Sequence, residues 1–157
     1  MRQMTFWHPA SLVATCFGAG LLPRAPGTWG SLASLPAAAF LAWSTGPGGL
    51  FIGAVVVTLL GWWAIPIYLA DSKEHDPGRV VVDEVAGQFL ALIPAGLNPW
   101  LYLAGFVLFR LFDVRKPWPV SWANDHVHGP SGVLLDDILA GVYAAVGVGL
   151  LGWWMEN

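Results

Sequence analysis

The sequence predicts an all-α fold: a polytopic membrane helical bundle of about five membrane helices, plus an N-terminal interfacial or re-entrant helix, in one domain over residues 1–157. Three observations carry this. Charged residues make up 11% of the chain, against about 25% in typical soluble domains. Residues 25–70 contain no Asp, Glu, Lys or Arg, a run that as one helix would be about 69 Å long, roughly twice the hydrocarbon core of a bilayer. Ten tryptophans in so short a chain suit the boundary between lipid and water. The net charge of -3 lacks the basic excess that nucleic-acid binding leaves, so no nucleic-acid partner is expected. Cys16 is the single cysteine, which excludes an intrachain disulfide or a cysteine-built zinc site.

The elements follow in chain order. Residues 5–22 are apolar and Gly-rich, carry no convincing cleavage pattern, and read as a retained interfacial or re-entrant segment. The long charge-free run must fold back on itself, and Ser44-Thr45-Gly46-Pro47-Gly48-Gly49 marks the turn. Helices are therefore expected near 29–43 and 50–70. A second charge-free run, residues 85–109, is interrupted by Pro94, Gly96, Asn98 and Pro99, which predicts a turn between short helices near 80–94 and 99–113. A third, residues 138–155, matches one span and ends at the Trp153-Trp154 anchor.

With the second run read as a hairpin, all seven basic residues (Arg2, Arg24, Lys73, Arg79, Arg110, Arg115 and Lys116) fall on one side. The positive-inside rule makes that side cytoplasmic.

Five acids touch apolar helices: Asp83 and Glu84, Asp113, and Asp136 and Asp137. The two pairs are expected to open helices, each with an acid four residues before a glycine, so that carboxylate and glycine share a face where a backbone or ligand approaches closely. Acids at helix N-termini also complement the macrodipole. Five from three segments of an apolar chain point instead to function, because charge in a membrane protein is costly. Clustered carboxylates need a cation, and the hard oxygen set suits Mg²⁺, which retains waters and is completed by phosphate.

Arg110 lies three residues before Asp113, and Lys116 precedes the helix-ending Pro117-Trp118-Pro119. An ion pair at the helix end is one reading; phosphate binding by Arg110 and Lys116 is the other. Arg115 points elsewhere and would meet anionic headgroups. In Pro26-Gly27-Thr28-Trp29-Gly30-Ser31 the glycines permit close backbone approach, while Thr28 and Ser31 offer hydroxyls beside a helix N-terminus, either as an anion site or as an ordinary cap. His126 and His128 are read in a Gly-Pro-rich loop, with polar contacts favoured over a shared metal, and His128 is a candidate general acid or base. His8 is read as interfacial and His75 as part of the loop 71–76.

Gly18-Ala19-Gly20, the Pro26–Ser31 block, Val82-Asp83-Glu84-Val85-Ala86-Gly87, Phe109-Arg110-Leu111-Phe112-Asp113 with Lys116-Pro117-Trp118-Pro119, and His128-Gly129 with Asp136-Asp137-Ile138-Leu139-Ala140-Gly141 together resemble the bacterial phosphatidylglycerophosphatase A family. Order and spacing make the resemblance specific, from about residue 7 to 145. It implies a Mg²⁺-dependent lipid phosphatase of the inner membrane, active on the cytoplasmic side, that converts phosphatidylglycerophosphate to phosphatidylglycerol and phosphate. Carried over by position, its acids fall on Asp83, Glu84, Asp113, Asp136 and Asp137. The sequence departs from the family pattern at Asn124-Asp125-His126 and Pro130-Ser131, so His126 receives no role.

Chemistry and resemblance then agree on phosphomonoester hydrolysis. Asp83, Glu84, Asp136 and Asp137 would hold Mg²⁺, and Arg110 and Lys116, helped by Thr28 and Ser31, would hold the phosphate. Water is favoured over a carboxylate nucleophile because no Asp-x-Asp motif is present. A small cation transporter or a non-catalytic lipid-binding subunit is the rival, and depth separates them: transporter acids belong near the midplane, phosphatase acids at one surface.

Overall fold

The computed structural model describes residues 5–71 and 77–157. Arg2, Lys73 and His75 lie outside the described residues. Among those described, every regular element is helical.

The first helix, α1 (Pro9–Ala14), begins where His8 Nδ1 accepts from the Ala10 N–H and Pro9 supplies a first-turn proline. It ends within six residues as Cys16, Phe17 and Gly18 take positive φ. At about 9 Å it does not span. Ala10 and Ala14 pack on Ala64, while Trp7 and Phe17 stay exposed.

Helix α2 (Pro26–Asp71) is broken at Gly46, whose φ of 69° and ψ of -161° are not helical. Leu41 and Gly53 flank that break, and a Cβ placed on Gly53 would lie 2.9 Å from Leu41 Cδ1. A straight rod would hold them about 18 Å apart, so the two arms fold back as a hairpin. The turn is tighter than the sequence suggests. Ser44 Oγ and Thr45 Oγ1 donate to the carbonyls of Phe40 and Leu41 just before the break, a form of back-bonding that bends helices.

Helix α3 (Val82–Leu92) is joined by a 3-10 turn at Ile93–Ala95 to α4 (Pro99–Arg115). Gly96 has a φ of 59°, and the Asn98 side chain accepts from the N–H groups of Trp100 and Leu101. Residues 85–109 thus form the expected pair of helices. With 11 and 17 residues they measure about 16 and 26 Å, short of a full crossing. Among the described residues two helices, Pro26–Ala70 and Pro130–Glu156, are long and apolar enough to cross a membrane. The expected count of about five is not reached by that measure, although folding at Gly46 gives the first of them two arms of crossing length.

After α5 (Val120–His126) comes α6 (Pro130–Glu156). Gly129 at φ 73° and Pro130 in the first turn start α6 early. Asp136 and Asp137 therefore lie more than a turn inside the helix and do not open it, so a capping role is excluded for that pair. His126 likewise ends a helix and does not sit in a loop; it stacks on Trp122 and contacts the Trp122 carbonyl through Nδ1 at 3.0 Å.

The bundle turns on the contact between α3 and α6. A Cβ on Gly141 would lie 2.4 Å from the Gly87 carbonyl oxygen, and one on Gly87 would lie 2.6 Å from the Asp137 carbonyl oxygen and 2.5 Å from the Phe109 ring. The helices meet backbone to backbone and run parallel, since 83 neighbours 137 and 87 neighbours 141. Buried positions there and around the α2 hairpin favour alanine (Ala38, Ala54, Ala91, Ala140, Ala144), whereas Phe40, Trp43, Phe51, Ile52, Leu59 and Trp62 are exposed. Small residues inside and large apolar ones outside suit lipid rather than water as the surrounding solvent.

Gly141→Val is expected to destabilise the protein by about 1–3 kcal/mol through overpacking. Gly48→Ala, whose Cβ meets nothing within 4 Å, should raise stability by about 0.4–1 kcal/mol. Thermal unfolding in detergent checks both, and equal responses would contradict the assigned contact.

Candidate functional site

The glycine contact fixes what lies one turn before it. Asp83 precedes Gly87 by four residues and Asp137 precedes Gly141 by four, so the face that carries each glycine into the crossing carries each carboxylate to its edge. Asp83, Glu84 and Asp137 converge there, each offering an oxygen within 4.8 Å of the others. Asp83 and Asp137 are buried, and Asp83 Oδ1 and Glu84 Oε2 have no hydrogen-bond partner among the described residues.

These acids line a cavity of about 380 Å³ together with Asp113, Lys116, Asp136, Asn124 and His128. The cations divide the remaining acids between them. Arg110 Nη1 donates to Asp113 Oδ2 at 2.6 Å and stands 3.9 Å from Glu84 Oε1. Lys116 Nζ bonds Asp136. The carboxylate of Asp136 is therefore engaged by lysine and stands outside the trio, although the sequence grouped it with the other three. Burial works against the Lys116 ammonium, but the bond to Asp136 and the fields of Asp136, Asp113 and Asp137 outweigh it and hold its pKa above the ordinary lysine value. Lys116 thus stays charged through the neutral range.

Local structure places that lysine. It caps α4 in a left-handed conformation, φ 45°, with its N–H donated to the Phe112 carbonyl at 2.8 Å. Tyr143 Oη then donates to the Trp118 carbonyl at 2.8 Å, which ties the Pro117–Pro119 turn to α6.

The Pro26–Ser31 block meets the site at its glycines. A Cβ on Gly27 would lie 2.2 Å from Glu84 Oε1 and 3.0 Å from Arg110 Nη1, and one on Gly30 would lie 2.7 Å from Val81 Cβ. The start of α2 closes over the Glu84–Arg110 pair. Thr28 is half-buried, Ser31 is fully buried with its Oγ unpartnered among the described residues, and neither lines the cavity. Arg110 is also absent from its wall and sits behind Glu84 and Asp113.

Two residues escaped the sequence reading. Asn124 reaches the cavity from α5, and Gln88, one turn past Glu84, is fully buried with both amide atoms unpartnered among the described residues. No spacing signal pointed to either; Asn124 stood out only as a departure from an expected pattern.

A family model described as Phosphatidylglycerophosphatase A matches residues 12–152. The chain is 37% identical over 157 residues to a Haemophilus influenzae protein named Phosphatidylglycerophosphatase A, covering 99% of this chain and 96% of that one. It is 40% identical over 154 residues to an Escherichia coli protein of the same name, covering 92% and 83%. A third relative, from Bacteroides thetaiotaomicron, is 38% identical over 157 residues, covering 90% and 92%, and is provisionally named a phosphatidylinositol-3-phosphatase. No solved structure matches the chain.

Asp83→Asn, Glu84→Gln and Asp137→Asn should each weaken divalent-cation binding by roughly tenfold or more, with Asp136→Asn having a smaller effect. Electron paramagnetic resonance of Mn²⁺ titrated into the purified protein reads this out. Equal losses across all four variants would refute the division between trio and lysine-paired acid.

Proposed function

The chain belongs to the phosphatidylglycerophosphatase A family, and from that premise we propose that its carboxylate cavity hydrolyses the terminal phosphate of phosphatidylglycerophosphate, releasing phosphatidylglycerol and inorganic phosphate. The observation that carries this reading is the convergence of Asp83, Glu84 and Asp137 beside Lys116 in one cavity.

The trio fits a hard divalent cation, Mg²⁺ by the chemistry of its donors. Three carboxylates whose oxygens approach within 4.8 Å, two of them with a buried oxygen unpartnered among the described residues, repel one another unless positive charge lies among them. Asp83, Glu84 and Asp137 would hold the ion, and its chemistry there is to offset charge on the phosphoryl oxygens.

The protein's own groups supply the rest. Lys116 binds a phosphate oxygen from the cavity wall, oriented by Asp136. Arg110 acts from behind as a positioning residue that holds Asp113 and Glu84 in place. Water attacks phosphorus, its oxygen forming the new bond as the bond to the glycerol oxygen breaks; a cavity carboxylate takes the proton from water. His128, exposed on the same wall, is suited to give a proton to the departing glycerol oxygen. Thr28 and Ser31 have no part in this reading, since both lie off the cavity wall.

The setting follows from the charges. Arg24, Arg79 and Lys116 line cavities at the end of the bundle that carries the acids, and the opposite end holds the α3–α4 turn with Trp153 and Glu156. By the positive-inside rule the first end faces the cytoplasm, in a multi-pass protein of the bacterial inner membrane. Acids grouped at one end, not at mid-depth, favour the phosphatase over a cation transporter.

Phosphate release from phosphatidylglycerophosphate by the purified protein should require a divalent cation and fall by roughly 10³-fold or more in Asp83→Asn and Asp137→Asn. Full activity in either variant would overturn the site. Rapid-quench experiments should trap no phospho-enzyme; an aspartyl phosphate would replace water with a carboxylate nucleophile.

A further inference from the structure

A second cavity, of about 470 Å³, opens between the N-terminal loop and residues 78–79. Arg24, Arg79, Leu21, Leu22 and Pro26 contribute to its wall. Gly78 lines both this cavity and the carboxylate cavity, so the two lie side by side at one end of the bundle.

Its walls are fixed by backbone contacts. A Cβ on Gly20 would lie 2.1 Å from the Arg79 carbonyl oxygen, and the Val81 N–H donates to the Ala14 carbonyl at 2.8 Å. The N-terminal loop is thereby clamped to residues 79–81. Arg24 and Ala25 both adopt left-handed backbone, with φ of 59° and 49°, a conformation that non-glycine residues disfavour and that clusters at binding sites. This turn sets Arg24 on the cavity wall directly before the N-terminus of α2.

The chemistry of the wall is amphiphilic. Two guanidinium groups match phosphate oxygens in a planar fork, and the start of α2 adds the positive end of a helix. Leu21 and Leu22, both exposed, add apolar surface. Such a set recognises a phosphate ester that carries hydrocarbon on its other side. Phosphatidylglycerophosphate has two phosphates, a terminal monoester and a diester, joined through one glycerol. We propose that the Arg24–Arg79 cavity holds the diester phosphate of the substrate while the terminal phosphate occupies the carboxylate cavity. The inference rests on the function proposed above. It makes Arg24 and Arg79 specificity-determining residues that favour a monoester placed one glycerol beyond a phosphodiester; phosphatidate, which has no diester, gains nothing from them.

Steady-state kinetics in neutral detergent micelles test this with the double variant Arg24→Ala/Arg79→Ala. The KM for phosphatidylglycerophosphate should rise roughly 10- to 100-fold with kcat within about twofold, as expected for the loss of two charge-assisted hydrogen bonds. Phosphatidate should be turned over no worse than by the unmodified protein, and Arg24→Lys/Arg79→Lys should fall between the two. Should the double alanine variant fail to fold, Arg24→Gln alone gives the answer through a KM rise of roughly threefold or more. An unchanged KM, a fall in kcat at constant KM, or an effect seen only when a separate anionic lipid is added would each overturn the proposal, the last by assigning the cavity to a bystander lipid. Absence of hydrolysis in the unmodified protein would instead sink the function on which the proposal rests.

Discussion

Backbone contact between Gly87 and Gly141 is the constraint on which the rest of the molecule depends. Where lipid surrounds the helices there is little hydrophobic gain in bringing them together, so close packing of small residues must hold them. Parallel helices joined at that point carry Asp83 and Asp137 side by side one turn earlier, about 6 Å along the axis. Phe109 fits into the same gap from α4 and keeps Arg110 and Asp113 at the level of the acids. A side chain at either glycine separates the helices and, with them, the carboxylates.

That geometry concentrates negative charge, and the distribution of cations around it is uneven. Arg110 is committed to Asp113 and reaches one Glu84 oxygen at longer range, while Lys116 is committed to Asp136. Asp83 and Asp137 show no such cation partner among the described residues. The protein neutralises the edges of its acidic group and leaves the centre, which is the arrangement expected where a bound cation and a phosphate complete the charge balance. Gly27 and Gly30 serve the same end by letting α2 close over the Glu84–Arg110 pair and Val81.

Much of this was legible beforehand, and for definite reasons. Turns at Gly46 and at Pro94 to Pro99 are dictated by residues that cannot continue a helix, so a single chain suffices to find them. The pairing of each acid with a glycine four residues later was visible as a shared helical face, and it marked the contact that builds the site. The charge boundary at Asp137 does not mark the start of α6, because Gly129 and Pro130 set that start by backbone conformation. Asn124 and Gln88 left no trace in spacing because only the packing of the helices brings Asn124 to the cavity and buries Gln88.

Composition and order determined the solvent, the hairpins and the roster of acids, because these depend on local chemistry along one chain. Tertiary structure decided which acids lie together. Asp136 and Asp137 are adjacent in sequence, yet on a helix neighbouring residues point about 100° apart. One therefore meets Lys116 from the end of α4 and the other meets Asp83 and Glu84 on α3. No pattern within a segment separates the two, since the difference lies in the partner each face encounters.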